Sequence, residues 1–133
     1  MSRVFLDTSA AYALLVASDT NHPRAARVYR SLEARTATLV TTSYVLVETY
    51  ALLGRRVGRQ AVMAFREDLE PLLDVIWVGA DLHERGLNLL LERSRRHLSL
   101  VDAVSFVVIR DQAIEDVFAY DPDFRQEGFS VLE

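Results

Sequence analysis

Short apolar runs, separated by helix-forming stretches and in two cases closing on an aspartate, restrict this chain more than any other feature of its sequence. Arg3, Val4, Phe5 and Leu6 read as a buried strand that ends at Asp7. Further strands are expected over residues 38–41, 75–78, 117–120 (ending at Asp121) and 129–132. Between them the pattern predicts helices. The first covers 9–17, and the second opens at Asn21-His22-Pro23, a cap followed by proline in the first turn, and runs to about Ala34. Ser43 is the expected cap of an apolar helix through Leu53, stopped near Gly54, and 58–72 reads as one amphipathic helix. Residues 81–95 form the next, with Leu87, Leu90 and Leu91 as its buried stripe, and Ser99 caps the last, to about Asp111. Strands apolar on both faces alternating with helices predict an α/β fold: three layers, α/β/α, around a central, mostly parallel sheet of four or five strands. Open sheets of this kind place their ligands beyond the carboxyl ends of the strands.

The length of 133 residues fits one domain, 1–133, with no linker to divide it. A hydrophobic content of 50% removes disorder as a reading. With no cysteine, disulfides, thiolate metal sites and cysteine nucleophiles are excluded, and His22, His83 and His97 lack the spacing of a zinc site. All fifteen basic residues are arginine, a bias that a GC-rich genome also produces, so every mechanism that needs a lysine is excluded. The net charge of −4 argues against a general nucleic-acid coat, though not against an enzyme that grips phosphates locally. No signal-like or membrane-length apolar stretch is present, and a soluble cytoplasmic protein without membrane contact is the expectation.

Four carboxylates lie in surroundings that do not suit them. Asp7 and Asp121 each follow a strand directly. Glu48 is the only charge between Ser43 and Gly54, and its helical neighbours are Tyr44, Val45, Ala51 and Leu52. Asp102 is the only charge from Leu98 to Ile109. Each also has an ordinary explanation: Asp7 as a helix cap, Asp102 in a capping box with Ser99, Asp121-Pro122-Asp123 as a turn. Glu48 has the weakest such explanation. Burying unpaired carboxylates costs several kcal/mol each; convergence on a divalent cation would remove that cost. Oxygen donors without cysteine favour Mg²⁺ or Mn²⁺ over zinc.

The segments around these acids carry a resemblance. Val4-Phe5-Leu6-Asp7-Thr8-Ser9, Thr42-Ser43-Tyr44-Val45-Leu46-Val47-Glu48, Leu98-Ser99-Leu100-Val101-Asp102-Ala103 and Phe118-Ala119-Tyr120-Asp121-Pro122-Asp123-Phe124 occur in the order found in PIN domains. Over its whole length the chain resembles the VapC-type toxins of bacterial toxin–antitoxin pairs. The resemblance implies a catalytic, metal-binding quartet at Asp7, Glu48, Asp102 and Asp121, with Mg²⁺ or Mn²⁺ as cofactor and RNA as substrate. It also implies a cognate antitoxin and a homodimer. Thr8, Ser9 and Ser43 resemble positions that support the acids or touch substrate. Asp123 reads first as a turn residue and second as an added carboxylate. Tyr120 stands where such proteins often carry threonine, which removes no acid.

An acidic site repels RNA, so basic groups are expected to hold the flanking phosphates: Arg55, Arg56 and Arg59 after the helix of Glu48, and Arg93, Arg95 and Arg96 before that of Asp102. Two other readings within the resemblance stay open: an RNA-processing nuclease without an antitoxin, and a non-catalytic binding module. A phosphoryl-transfer domain with acids at strand ends is disfavoured by the lack of lysine.

Overall fold

The computed structural model describes residues 2–133. Its centre is a five-stranded, wholly parallel sheet: β1 (Arg3–Leu6), β2 (Thr38–Thr42), β3 (Leu73–Ile76), β4 (Asp116–Phe118) and β5 (Ser130–Leu132), in the spatial order β3-β2-β1-β4-β5. Val4 pairs with Leu39 on one side and Asp116 on the other. The chain therefore winds outward from β1 in both directions, and the direction reverses between β1 and β4. That crevice is where parallel sheets accept ligands.

Among the described residues seven helices cover the sheet: α1 (Thr8–Leu15), α2 (His22–Ala34), α3 (Ser43–Arg56), α4 (Arg59–Ala64), α5 (Ala80–Glu92), α6 (Leu100–Asp111) and α7 (Pro122–Gln126). One apolar layer gathers Val4, Leu6, Ala10, Leu32, Leu53, Phe65 and Phe118; the other gathers Phe5, Val40, Phe106, Ile109, Val117 and Phe124. Val4, Leu6 and Phe118 point to one face and Phe5 and Val117 to the other, the two-residue period of strands buried on both sides. No helix among the described residues is long and apolar enough to cross a membrane.

Several local expectations need correction. Thr42, not Ser43, caps α3: its hydroxyl accepts from the Val45 amide at 3.2 Å, and Ser43 Oγ instead accepts from the Val78 amide at 2.9 Å. α3 continues through Gly54 to Arg56, because a lone glycine costs a helix only about 1 kcal/mol. Residues 58–72 are three pieces, α4, a π-helical turn (Phe65–Leu69) and a 3-10 turn (Glu70–Leu72), since Pro71 cannot continue an α-helix. In α5 the stripe is shifted: Leu91 is 75% exposed, while Leu82, Leu89 and Leu90 pack inward. Gly86 is buried against Val104, letting α5 approach α6 closely. The third strand starts two residues early, and the fourth ends at Phe118, before Tyr120.

Candidate metal-dependent active site

Three of the four singled-out acids begin helices. Asp7 caps α1, with Oδ2 accepting from the Ser9 amide at 3.1 Å and from Ser9 Oγ at 2.6 Å. Asp102 completes a capping box with Ser99, and Asp121 caps α7 through the Asp123 amide at 2.9 Å. The ordinary explanation of each acid therefore holds. Yet the caps bring the acids together at the crevice, and capping consumes only part of each carboxylate. Asp7 Oδ1 is buried with no hydrogen-bond partner.

Ser9 joins the two sides of the crevice. Its hydroxyl donates to Asp7 and accepts from the amides of Tyr120 (2.8 Å) and Asp121 (3.2 Å), while the Asp7 amide donates to Phe118 O at 3.1 Å. Thr8 shares a buried hydrogen bond with Thr49 Oγ1 at 2.9 Å and donates toward Val45 O of α3, and its hydroxyl also neighbours Glu48. It thereby couples α1 to the helix that carries Glu48. Ser43 Oγ holds the Val78 amide, two residues beyond the end of β3.

The carboxylates feel one another's charge. Burial raises Asp7 to about 6, with help from Glu48 and Asp121, against the lowering effect of the Ser9 hydrogen bonds. Asp102 rises to about 7, chiefly by burial and then by repulsion from Asp7 and Asp121. Glu48, half-buried, is raised by desolvation and by Asp121, while the neighbouring Thr8 hydroxyl lowers it. Asp123, expected first as a turn residue, is also part of the cluster. Only 8% exposed, it offers an oxygen that lies with those of Asp102 and Asp121 within 4.8 Å of one another. Burial and Asp121 raise it, and Arg95, 3.9 Å away, pulls it down.

The expected phosphate-binding arginines divide. Arg93 and Arg95 are spent on Glu127, a residue for which the sequence offers no signal: its side chain is 4% exposed and meets Arg93 and Arg110 at 2.8 Å and Arg95 at 2.7 Å. Burial alone would raise Glu127, but the hydrogen bonds and charges of Arg93 and Arg110 take it down to about 2. Arg96 is exposed. Arg55, Arg56 and Arg59 are exposed too, but Arg55 lies seven residues past Glu48, roughly 10 Å along the helix, and Arg56 stacks over the Tyr12 ring.

The PIN domain profile matches residues 4–129. The chain belongs to the PIN-domain family. It is 39% identical over 127 residues, 95% of each chain, to the 23S rRNA-specific endonuclease VapC20 of Mycobacterium tuberculosis. The crystal structure of M. tuberculosis VapC20, described as a sarcin–ricin loop cleaving toxin, superposes with a TM-score of 0.85 at 37% identity over 95% of both chains. The fold is also shared with VapBC2 of Rickettsia felis bound to a promoter DNA fragment (TM-score 0.66, 16% identity, 98% of this chain and 97% of that one). FitAcB of Neisseria gonorrhoeae shares it as well (TM-score 0.69, 12% identity, 98% and 96%).

Proposed function

We propose that this PIN domain is a divalent-metal-dependent endoribonuclease that hydrolyses RNA phosphodiesters as the toxin of a toxin–antitoxin pair. One observation carries the reading: carboxylates from four separate stretches of chain crowd one crevice, and burial and mutual repulsion raise three of the singled-out four, Asp7, Glu48 and Asp102. The donor set suits Mg²⁺ or Mn²⁺, being all hard oxygen and including a buried Asp7 oxygen that lacks a partner. Such a cation, when bound, activates water and offsets charge on the phosphate.

The chain's own residues then have distinct tasks. Asp7, Asp102 and Asp121 hold the cation, with Asp123 as a further donor. Ser9 fixes the orientation of Asp7 and ties it to the Asp121 turn. Glu48 is made more basic by desolvation and by Asp121 and is half-open to solvent, so its carboxylate suits accepting a proton from the attacking water. No side chain needs to form a covalent bond to the RNA.

The 39% identity to VapC20 across nearly the whole chain supports RNA as the substrate and makes 23S rRNA the first one to test. The description of that relative's crystal structure as a toxin supports a small cognate antitoxin; a homodimer and a cytoplasmic place of action belong to the same proposal. The decisive experiment incubates the protein with ribosomal RNA and Mg²⁺ or Mn²⁺, with and without EDTA, and maps the new ends. Discrete cuts that vanish with EDTA are expected. Intact RNA under all conditions, or identical cutting in EDTA, overturns the proposal. Co-purification with the product of a neighbouring small gene tests the antitoxin.

A further inference from the structure

Trp77 is the only tryptophan in the chain. It sits just beyond the carboxyl end of β3 with 74% of its surface exposed, and it belongs to neither apolar layer. We infer that Trp77 is a stacking platform for an unpaired base of the RNA substrate, set beside the acidic crevice. The inference deepens the nuclease reading and rests on it.

Three observations support it. First, β3 lies two strands from β1, so the end of β3 stands about 10 Å from the end of β1. Trp77 therefore occupies the same rim of the sheet as Asp7 and Asp121, within reach of a short stretch of single-stranded RNA. Second, the backbone beside it is anchored. The Val78 amide donates to Ser43 Oγ at 2.9 Å, which ties the residue after Trp77 to the first turn of α3, the helix of Glu48. On that turn Tyr44 donates or accepts a 2.5 Å hydrogen bond with His83 Nδ1 at the start of α5, which ties α3 to the helix that follows the loop. With the backbone anchored, only the two side-chain torsions of the ring remain to be ordered when a base settles on it.

Third, the electrostatics call for an uncharged grip. The chain carries −4 overall, and the cleft itself is acidic. Six of the fifteen arginines, Arg35, Arg85, Arg93, Arg95, Arg110 and Arg125, are paired to carboxylates. With part of the positive charge already committed, stacking adds affinity that is indifferent to charge and tolerant of sequence. Unpaired loop bases are the parts of RNA open to aromatic stacking. The other large exposed apolar side chains, Val47, Val57, Met63, Leu72 and Leu91, are aliphatic or thioether and offer no such ring.

The sole indole makes the test direct, because tryptophan emission reports on Trp77 alone. Asp7→Asn protein, with EDTA present, is titrated with a synthetic hairpin carrying the sarcin–ricin loop and, separately, with a blunt RNA duplex. Saturable quenching by the hairpin and not by the duplex is expected. In the wild-type background, Trp77→Ala should raise KM for hairpin cleavage by about fivefold to a hundredfold with kcat within about twofold, and Trp77→Phe should recover most of the loss. An unchanged emission spectrum at saturating hairpin, or an unchanged KM in a folded Trp77→Ala protein, overturns the inference. So does a change in oligomeric mass on Trp77→Ala, which assigns the ring to a protein interface. If the wild-type enzyme cuts no RNA, the nuclease reading fails by itself and the fluorescence titration still decides whether Trp77 meets RNA.

Discussion

Asp7 and Asp102 hold protons more tightly in the folded chain than in the unfolded one, and the sign of that difference has consequences for stability. A carboxyl raised from 3.8 to about 6 stabilises the fold fully below pH 4, and this contribution is lost as pH climbs through 6. For Asp102 the loss extends to about pH 7. Without metal, melting temperature should therefore fall between pH 4 and 7. Asp7→Asn should abolish cleavage and flatten this fall; a carboxyl displaced as far as Asp7 accounts for at most about 3 kcal/mol. Asparagine retains the cap, since its side-chain oxygen still accepts from the Ser9 amide. Thermal melts of both proteins across that pH range, alongside a cleavage assay, check it; a steeper slope in the variant contradicts the reading. At this scale much is legible in the sequence. Asp7, Glu48, Asp102 and Asp121 stand out because charge amid apolar neighbours needs a reason. Asp123 is obscured because a turn explains it just as well. Glu127 is invisible, because its burial depends on three arginines that only the tertiary fold gathers around it.

Among the elements, the sheet and its covering helices follow from alternation, and the errors cluster where the sequence offers two caps or two stripes. Thr42 and Ser43 are adjacent hydroxyls, and only the strand-to-helix geometry selects Thr42. Thr42→Ala should cost about 1 kcal/mol in chemical denaturation, with Val45 losing its side-chain partner. The α5 stripe is misplaced because a leucine run fits several helical faces, whereas Gly86 fixes the register by contact. A Cβ there would sit 2.3 Å from Val104 Cγ2 and 3.2 Å from the Val104 backbone. Gly86→Ala should therefore destabilise by about 1–3 kcal/mol, despite the higher helix propensity of alanine. A neutral or stabilising result in a urea titration would contradict the close approach of α5 and α6.

For the whole molecule, the metal and the fold are linked. A cation that binds only the native state stabilises it by about 2.7 kcal/mol at a hundred times its Kd, so Mn²⁺ should raise the melting temperature most above pH 7, where the acids are otherwise unprotonated. EDTA should reverse the gain. Glu127 behaves oppositely. Its pKa is lowered from 4.5 to about 2, so its contribution is present above pH 4.5 and is lost only as pH falls toward 2. Glu127→Gln should destabilise by about 3 kcal/mol at neutral pH, because several arginines lose their counter-charge together; a melting temperature indistinguishable from wild type would show that the arginines find other partners.

The crevice draws Asp7 from near the first residue and Asp121 and Asp123 from near the last. Synthesis delivers these groups in that order, and β4 must slot in beside β1 before they meet. A nascent polypeptide still short of β4 thus has half a blade. Whatever the finished molecule does to RNA, a given copy can do none of it until β4 has been made and has paired beside β1.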